Sequence, residues 1–258
     1  NCVLRKYNST FHPIWALHMS DVSSDCYSVS ETEFGVRVLG KSGSPVSNIS
    51  GSISGGLFVH SLNGSTGAVT SSHGMNLFTT GRCASSTFMT GHHARDNPRI
   101  LVTEGNITMI IVRITANNAN IGPCALTVGT VSSYGGGNFR YQTGVGIFIN
   151  SNNQRTHAIN LGGQSNTADE IYDAKVIPNT DKILISVVSI CQYYCTSLYF
   201  DNGDNTPIMN QRDNSISSLY LINANTTTWS ATFESSWRPT HSASSGGFSF
   251  YVGHFEII

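Results

Sequence analysis

Three segments of this 258-residue sequence carry side chains that could bind a sugar. These aromatic, amide and guanidinium residues are Tyr193, Tyr194, Trp237, Arg238, Asn138 and Arg140. Aromatic faces pack against the C–H patches of sugars, while amides and hydroxyls supply hydrogen bonds. A guanidinium can also pair with a sugar carboxylate. Ordinary packing at a loop rim explains any one of these residues, but together they predict a surface that binds a neutral or sialylated glycan.

Other patterns that could support catalysis or metal binding are incomplete. Gly51–Gly55 has the glycines of a nucleophile elbow but lacks its central serine. Asp169 and Glu170 are candidates for the paired carboxylates of a glycosidase, but adjacent residues on a strand point to opposite faces. Solvated turn residues are the better interpretation. Gly91–Asp96 offers two histidines and a carboxylate without a marked third ligand, and Asp201–Asn205 lacks the order of a calcium loop. We predict no catalytic residue, no metal site and no cofactor.

The six cysteines suggest disulfides in an oxidising compartment, because their number is even and their spacing is unlike that of a zinc site. Two of them flank the tyrosine pair, and proximity in sequence groups the other four. The expected pairs are Cys191–Cys195, Cys2–Cys26 and Cys83–Cys124. Small buried thiols are the alternative for the first pair.

The composition favours neutral, hydrogen-bonding partners. Charged residues make up 11% of the chain, the net charge is −1, and Ser, Thr, Asn and Gly supply 107 of 258 residues. The 14 Lys and Arg residues are scattered singly, so nucleic acid is not an expected partner. No apolar run reaches the ~18–20 residues that span a bilayer, so we expect no membrane insertion by this segment.

Asn-x-Ser/Thr sequons fit a secreted protein, although this composition produces about as many by chance. They lie at Asn8, Asn48, Asn63, Asn106 and Asn225.

The elements that position these residues are predicted to be strands. Ile183–Ile190 is apolar on both alternating faces, which is typical of a strand in a sheet interior, and Thr196–Phe200 suits a return strand of the same hairpin. The nearest helical candidate is the short segment Thr167–Ala174. The other expected strands are Phe34–Leu39, Gly56–His60, Ile100–Thr103, Ile107–Ile114, Ala125–Val131, Gly144–Ile149, Leu219–Ile222, Thr228–Phe233 and Phe248–Ile258.

Many short strands separated by Gly- or Asn-rich turns favour an all-β fold: a two-sheet antiparallel β-sandwich, galectin-like or jelly-roll, with little helix. We predict a single domain over residues 1–258. The Gly/Ser-rich segment Lys41–Gly56 is the expected mobile loop.

Two short patterns resemble the N-terminal spike domain of gammacoronaviruses. The first consists of Tyr7, Ser9, Phe11, Pro13, Trp15, Leu17 and His18, with two residues fewer between Pro13 and Trp15 than in the family. In the second, Gly74-Met75 precedes Cys83 by the family's spacing. The likeness covers at most residues 7–124, and no disulfide pairing or binding residue transfers from it.

This resemblance implies a galectin-like sandwich on a trimeric envelope glycoprotein at the virion surface, binding a host glycan or protein. The composition leads to the same class: an extracellular glycan- or receptor-binding domain and not an enzyme. The alternative is a self-assembling structural subunit, such as a jelly-roll shell or trimeric fibre-tip protein. A hydrolase is the third class, and no catalytic constellation supports it.

Overall fold

The protein is all-β, as predicted from its sequence. The computed structural model describes residues 2–19, 24–42, 57–75, 77–80, 87–88, 98–115, 125–128, 131–134, 142–152, 155–162, 168–190, 197–200, 209–210, 215–225 and 231–237. Strands make up most of these residues, and no helix occurs among them.

Strands in the first part of the chain are β1 Cys2–Tyr7, β2 Pro13–Met19, β3 Ser24–Thr32, β4 Gly35–Ser42, β5 Leu57–Leu62, β6 Val69–Met75, β7 Leu77–Thr80, β8 Thr87–Phe88, β9 Arg99–Val102 and β10 Thr108–Thr115. Those in the second part are β11 Ala125–Val128, β12 Val131–Tyr134, β13 Gln142–Ile149, β14 Arg155–Gly162, β15 Ala168–Val176, β16 Lys182–Ile190, β17 Ser197–Phe200, β18 Met209–Asn210, β19 Ser215–Asn223 and β20 Ala231–Trp237.

Antiparallel pairing dominates the sheets formed by these strands. β1 and β2 form a hairpin, β3 to β6 form a four-stranded meander, and β12-β11-β7 form a small sheet. The largest sheet has the order β18-β17-β14-β13-β15-β16-β19-β20, with β8 and β9 attached through β10, which pairs with β13. Its two halves meet at a single parallel pair between Gln142 and Ala168. Because a single residue pair connects them, the two halves can turn relative to each other and pack face to face.

Three apolar clusters show that the sheets are stacked in layers. Buried residues of β1 and β2 pack with one face of β4 and β5, including Phe58. The other face of β4 and β5, including Leu39, packs against β9, β10 and β13. The opposite face of β10 and β13, including Phe148, packs against β15, β16 and β19. The predicted sandwich is therefore present, with a further sheet half and the hairpin added as outer layers.

The central strand β10 is buried on both faces. Met109 and Ile111 point into one cluster, while Ile110 and Val112 point into the other. This follows from a sequence that is apolar at successive positions, since a strand with one solvated face would alternate with polar residues. β10 fixes the position of the layers on either side.

The prediction for Ile183–Ile190 is confirmed in its main point, because β16 lies between β15 and β19 inside a sheet. The predicted hairpin with Thr196–Phe200 is wrong: β17 pairs with β14 and β18 instead. The segment Thr167–Ala174, the nearest helical candidate in a sequence expected to contain little helix, is extended, because most of it belongs to β15. Asp169 and Glu170 therefore lie on a strand rather than in a turn.

Most of the other expected strands are present with shifted ends. The expected strand Ala125–Val131 is two strands, β11 and β12, and the strand predicted at Thr228–Phe233 is β20, which starts later and ends at Trp237. Residues 43–56 and the expected closing strand Phe248–Ile258 lie outside the described residues.

At one end of the stack a carboxylate joins three connections. Asp181 Oδ1 accepts hydrogen bonds from Thr103 Oγ1 at 2.7 Å and from the Gly105 backbone N–H at 2.6 Å. Asp181 Oδ2 accepts one from Asn225 Nδ2 at 2.7 Å. A Cβ at Gly105 would lie 2.6 Å from the carboxylate oxygens, so glycine permits this approach. Asp181 therefore holds together the β9–β10 turn, the β15–β16 turn and the segment that follows β19.

Candidate functional site

The β1–β2 hairpin has one face packed on the protein and one face open to solvent. Leu4, Trp15 and Leu17 point inward and pack on the cluster that contains Phe58. Alternation along both strands then places their neighbours on the outer face. The hairpin is thus an exposed pair of strands on a fixed support.

The outer face combines apolar side chains with a central cation. Val3 is 49% exposed, and Tyr7 and Ile14 are each 47% exposed. Between them lies Arg5, which pairs in register with Ala16 on the neighbouring strand. Arg5 makes no ion pair within the described part of the chain. We call these five residues, together with His18 opposite Val3, the hairpin face.

Covalent and polar contacts anchor this hairpin. A disulfide joins Cys2 to Cys26 of β3, as expected from sequence, and lies in the apolar cluster beneath the hairpin. Trp15 Nε1 donates a 3.0 Å hydrogen bond to the Gly64 carbonyl oxygen. Lys6 Nζ donates to the same oxygen at 2.9 Å and forms an ion pair with Glu31. The support limits the conformational entropy that a ligand bound here would have to remove.

The tight approach of Trp15 to the β5–β6 turn depends on Gly67. This residue has φ of 71°, in the left-handed region that favours glycine. A Cβ there would lie 2.6 Å from Trp15 Cδ2. The turn therefore seats the indole ring because it has no side chain at this position.

The tip of the hairpin, Asn8–His12, is a closed hydrogen-bonded turn. Asn8 Oδ1 accepts hydrogen bonds from the backbone N–H groups of Thr10 at 3.0 Å and His12 at 2.8 Å, and from Thr10 Oγ1 at 2.9 Å. Backbone bonds from Phe11 N–H to the Asn8 carbonyl and from Asn8 N–H to the His12 carbonyl complete it. Phe11 is 85% exposed and has φ of 60°. An aromatic residue is thus presented to solvent on a backbone that bulky residues rarely adopt.

Buried polar groups elsewhere in the described structure stabilise the layers. Arg99 Nη2 donates a 2.6 Å hydrogen bond to the Ile171 carbonyl, and Arg99 Nη1 lies 3.7 Å from the carboxylate of buried Asp173. Arg37 Nη2 donates to Asn106 Oδ1 at 2.7 Å, and burial lowers the pKa of its guanidinium. These contacts link β9 to β15 and β4 to the β9–β10 turn, so we assign them a structural role.

His60 is a buried histidine on β5. Its Nδ1 lies 2.8 Å from Ser72 Oγ, and its ring centroid is 4.5 Å from that of Phe58. Burial lowers the pKa of the His60 imidazole. The neutral form therefore fits this position, and the residue supports the layer beneath the hairpin.

Of the glycan-binding residues predicted from sequence, the structure describes Trp237. It is the last residue of β20 and pairs with Ser217, whereas the sequence predicted a loop position. Tyr193, Tyr194, Arg238, Asn138 and Arg140 lie outside the described residues, as do Cys83, Cys124, Cys191, Cys195 and Asn48. The sugar-binding surface at these loops stays a prediction.

Neither strand of the β1–β2 hairpin was among the strands predicted from sequence. The sequence signal of this hairpin is weak, because neither strand alternates apolar with polar residues, although Leu4, Trp15 and Leu17 all lie on the inner face. Both strands are also short, and Arg5 and Lys6 interrupt the apolar residues of β1, so their pattern is weaker than that of β10 or β16. All seven residues of the first gammacoronavirus-like pattern lie in this hairpin, on β1, on β2 or in the tip between them.

Within the described ranges, no group of three His, Cys, Asp or Glu side chains is arranged to hold a metal ion. The same part of the chain contains no helix of the length and hydropathy that a bilayer crossing requires. Comparison with protein families, curated proteins and solved structures finds no significant match to this chain.

Proposed function

We propose that this chain is the extracellular glycan- or receptor-binding domain of a surface glycoprotein of the viral attachment type. The observation that carries the proposal is the hairpin face, in which Val3 and Tyr7 flank the exposed Arg5 on an anchored support. Aromatic residues and arginine contribute most strongly to binding when their surroundings are fixed. The ligand is a cell-surface glycan or protein.

Two further features support an extracellular binding role. The Cys2–Cys26 disulfide is typical of proteins from an oxidising compartment. The resemblance to gammacoronavirus spike domains involves Tyr7 and His18, which lie on the exposed side of the hairpin. Under this proposal the protein acts by recognition at the virion surface, as part of a homotrimer, and performs no catalysis.

The test measures binding of the full chain, fluorescently labelled, to a panel of vertebrate cell lines and to a glycan array. Arg5→Ser and Tyr7→Ser should each weaken binding at least about tenfold, the equivalent of about 1.4 kcal/mol. Lys182→Ser is the matched control, because Lys182 is an exposed cation on β16, away from the hairpin. Binding by both hairpin variants at the wild-type level would remove this face from the proposal.

The glycan array also tests the loop residues predicted from sequence. If Tyr194→Ala and Trp237→Ala abolish binding and the hairpin variants do not, the ligand binds at these residues and not at the hairpin face. Loss of cell binding after protease treatment, with no signal on the array, identifies a protein receptor.

The exposed apolar side chains of the hairpin face favour one second candidate, a self-assembling structural subunit. Val3, Tyr7 and Ile14 are exposed apolar side chains of this face, and such a surface also suits packing against another copy of the chain. Light scattering after size-exclusion chromatography separates the two candidates. A particle or fibre that Tyr7→Ser dissociates would support assembly as the main function.

A further inference from the structure

Phe11 has features that the hairpin face does not explain. It lies in the turn rather than on either strand, and it is the most exposed of the large hydrophobic residues described. Its backbone is in the left-handed region, where a residue with a side chain is less stable than glycine. Its ring is therefore an uncovered aromatic surface at the tip of the hairpin.

Asn8 lies in the same hydrogen-bonded turn as Phe11, and its side-chain nitrogen Nδ2 is an atom that can be glycosylated. Asn8, Ser9 and Thr10 form a sequon, and Asn8 is exposed. The three hydrogen bonds of the side chain all end on Oδ1, so they fix its orientation. Nδ2 of Asn8 makes no hydrogen bond to the described part of the protein. A sugar on Nδ2 therefore breaks no hydrogen bond of the described residues.

The other sequon asparagines that the structure describes differ in how their side-chain amides are used. At Asn225, Nδ2 donates to Asp181. Asn106 is half-buried, its Oδ1 accepts from Arg37, and the sequon hydroxyl of Thr108 belongs to a buried residue. Asn63 resembles Asn8: it is exposed, and its Oδ1 accepts hydrogen bonds from backbone N–H groups at 2.9 and 3.0 Å. The described structure thus favours modification at Asn8 and Asn63.

We propose that Asn8 carries an N-linked glycan whose first N-acetylglucosamine packs against Phe11. This inference rests on the extracellular location in the proposed function. The donor is a lipid-linked oligosaccharide of the secretory pathway. A bond forms between Asn8 Nδ2 and the anomeric carbon, the bond from that carbon to the lipid pyrophosphate oxygen breaks with its electron pair, and one amide proton is released. The C–H face of the sugar then covers the aromatic ring.

The first test measures occupancy. The full chain is secreted from cells that make only high-mannose glycans, and glycopeptides are quantified by mass spectrometry. We expect high occupancy at Asn8 and Asn63 and much lower occupancy at Asn106. A folded, secreted chain that is occupied at Asn63 but not at Asn8 would refute the inference.

The second test measures the sugar–Phe11 contact in an Asn63→Gln background. One sample is trimmed by an endoglycosidase to a single N-acetylglucosamine, and another is stripped completely by an amidase. The amidase also converts Asn8 to aspartate, so the same pair of treatments in Phe11→Ser, which undergoes the same conversion, is the control. Complete removal relative to trimming should lower Tm by about 2 °C more in the protein that retains Phe11 than in Phe11→Ser, the size expected for a contact of this kind in a chain of this length.

An equal Tm difference in the protein that retains Phe11 and in the Phe11→Ser variant would refute the packing contact. The occupancy measurement and the Tm comparison do not bear on whether the hairpin face binds a ligand, because binding is measured separately with Arg5→Ser and Tyr7→Ser. Failure of those variants to alter binding would leave glycan occupancy at Asn8 unaffected.

Discussion

Replacing Gly67 by alanine should destabilise the support of the hairpin face. A methyl group there would lie 2.6 Å from Trp15 Cδ2 and 2.7 Å from Trp15 Cε3, so the indole ring has to move. The positive φ adds a backbone cost of about 1 kcal/mol. Losing the hydrogen bond from Trp15 Nε1 to the Gly64 carbonyl adds about 1 kcal/mol. Reduced burial of the half-buried ring adds about 1 kcal/mol more.

Together these contributions should lower the free energy of unfolding by about 3 kcal/mol, which corresponds to a decrease in Tm of roughly 6–12 °C for a chain of this length. Gly64→Ala is the matched control in the same turn. A Cβ at Gly64 has its nearest neighbour 3.7 Å away, and its φ lies outside the left-handed region. We expect this control to change stability by less than about 0.5 kcal/mol.

A double-mutant cycle separates the steric contribution from the backbone contribution. In a Trp15→Ala background the clash is absent, so Gly67→Ala should cost about 1 kcal/mol and the coupling energy should be about 2 kcal/mol. Calorimetry on the four proteins measures this directly. The reasoning is refuted if Gly67→Ala is no worse than Gly64→Ala, or if the two changes are additive.

Three other perturbations have defined outcomes. Replacing both Cys2 and Cys26 by serine should cost about 3 kcal/mol in denaturant unfolding, because their sequence separation is 24 residues; an unchanged midpoint would contradict this. Burial lowers the folded-state pKa of His60, so its contribution to the free energy of unfolding should be fully present above the unfolded pKa of about 6.5 and should be lost as the pH falls towards the folded pKa. His60→Gln should therefore lessen the decline of Tm at low pH. Asp181→Ala should cost about 2 kcal/mol through the loss of three hydrogen bonds, while Glu104→Ala, an exposed acid in the adjoining turn, should have little effect on thermal unfolding.

The sequence predicted the strands whose side chains carry a strong pattern. Ile107–Ile114 and Ile183–Ile190 are apolar over consecutive positions, and each corresponds to a strand within two residues. Such runs are informative because burial between layers requires apolar residues on both faces. The Cys2–Cys26 pair was also accessible from sequence, since these cysteines are close along the chain.

Pairing between strands required the tertiary structure. The segment Thr196–Phe200 follows β16 closely, yet β17 pairs with β14, because backbone hydrogen bonds carry no information about which strand is the partner. The segment Thr167–Ala174 was ambiguous for a related reason. Its local pattern is weak, and its pairing with β16 determines that it is extended.

An all-β, weakly charged chain with a disulfide between Cys2 and Cys26 could be predicted from residue types and spacing. The exposure of the hairpin face was decided by tertiary packing, which covers Trp15 and Leu17 and leaves Tyr7 and Arg5 on the other side. The difference among the sequons was decided in the same way, because Asn8 and Asn225 share a local motif but only the contact with Asp181 engages the Asn225 amide nitrogen. Local sequence sets which groups are available, whereas long-range contacts determine which of them remain free to bind or to be modified.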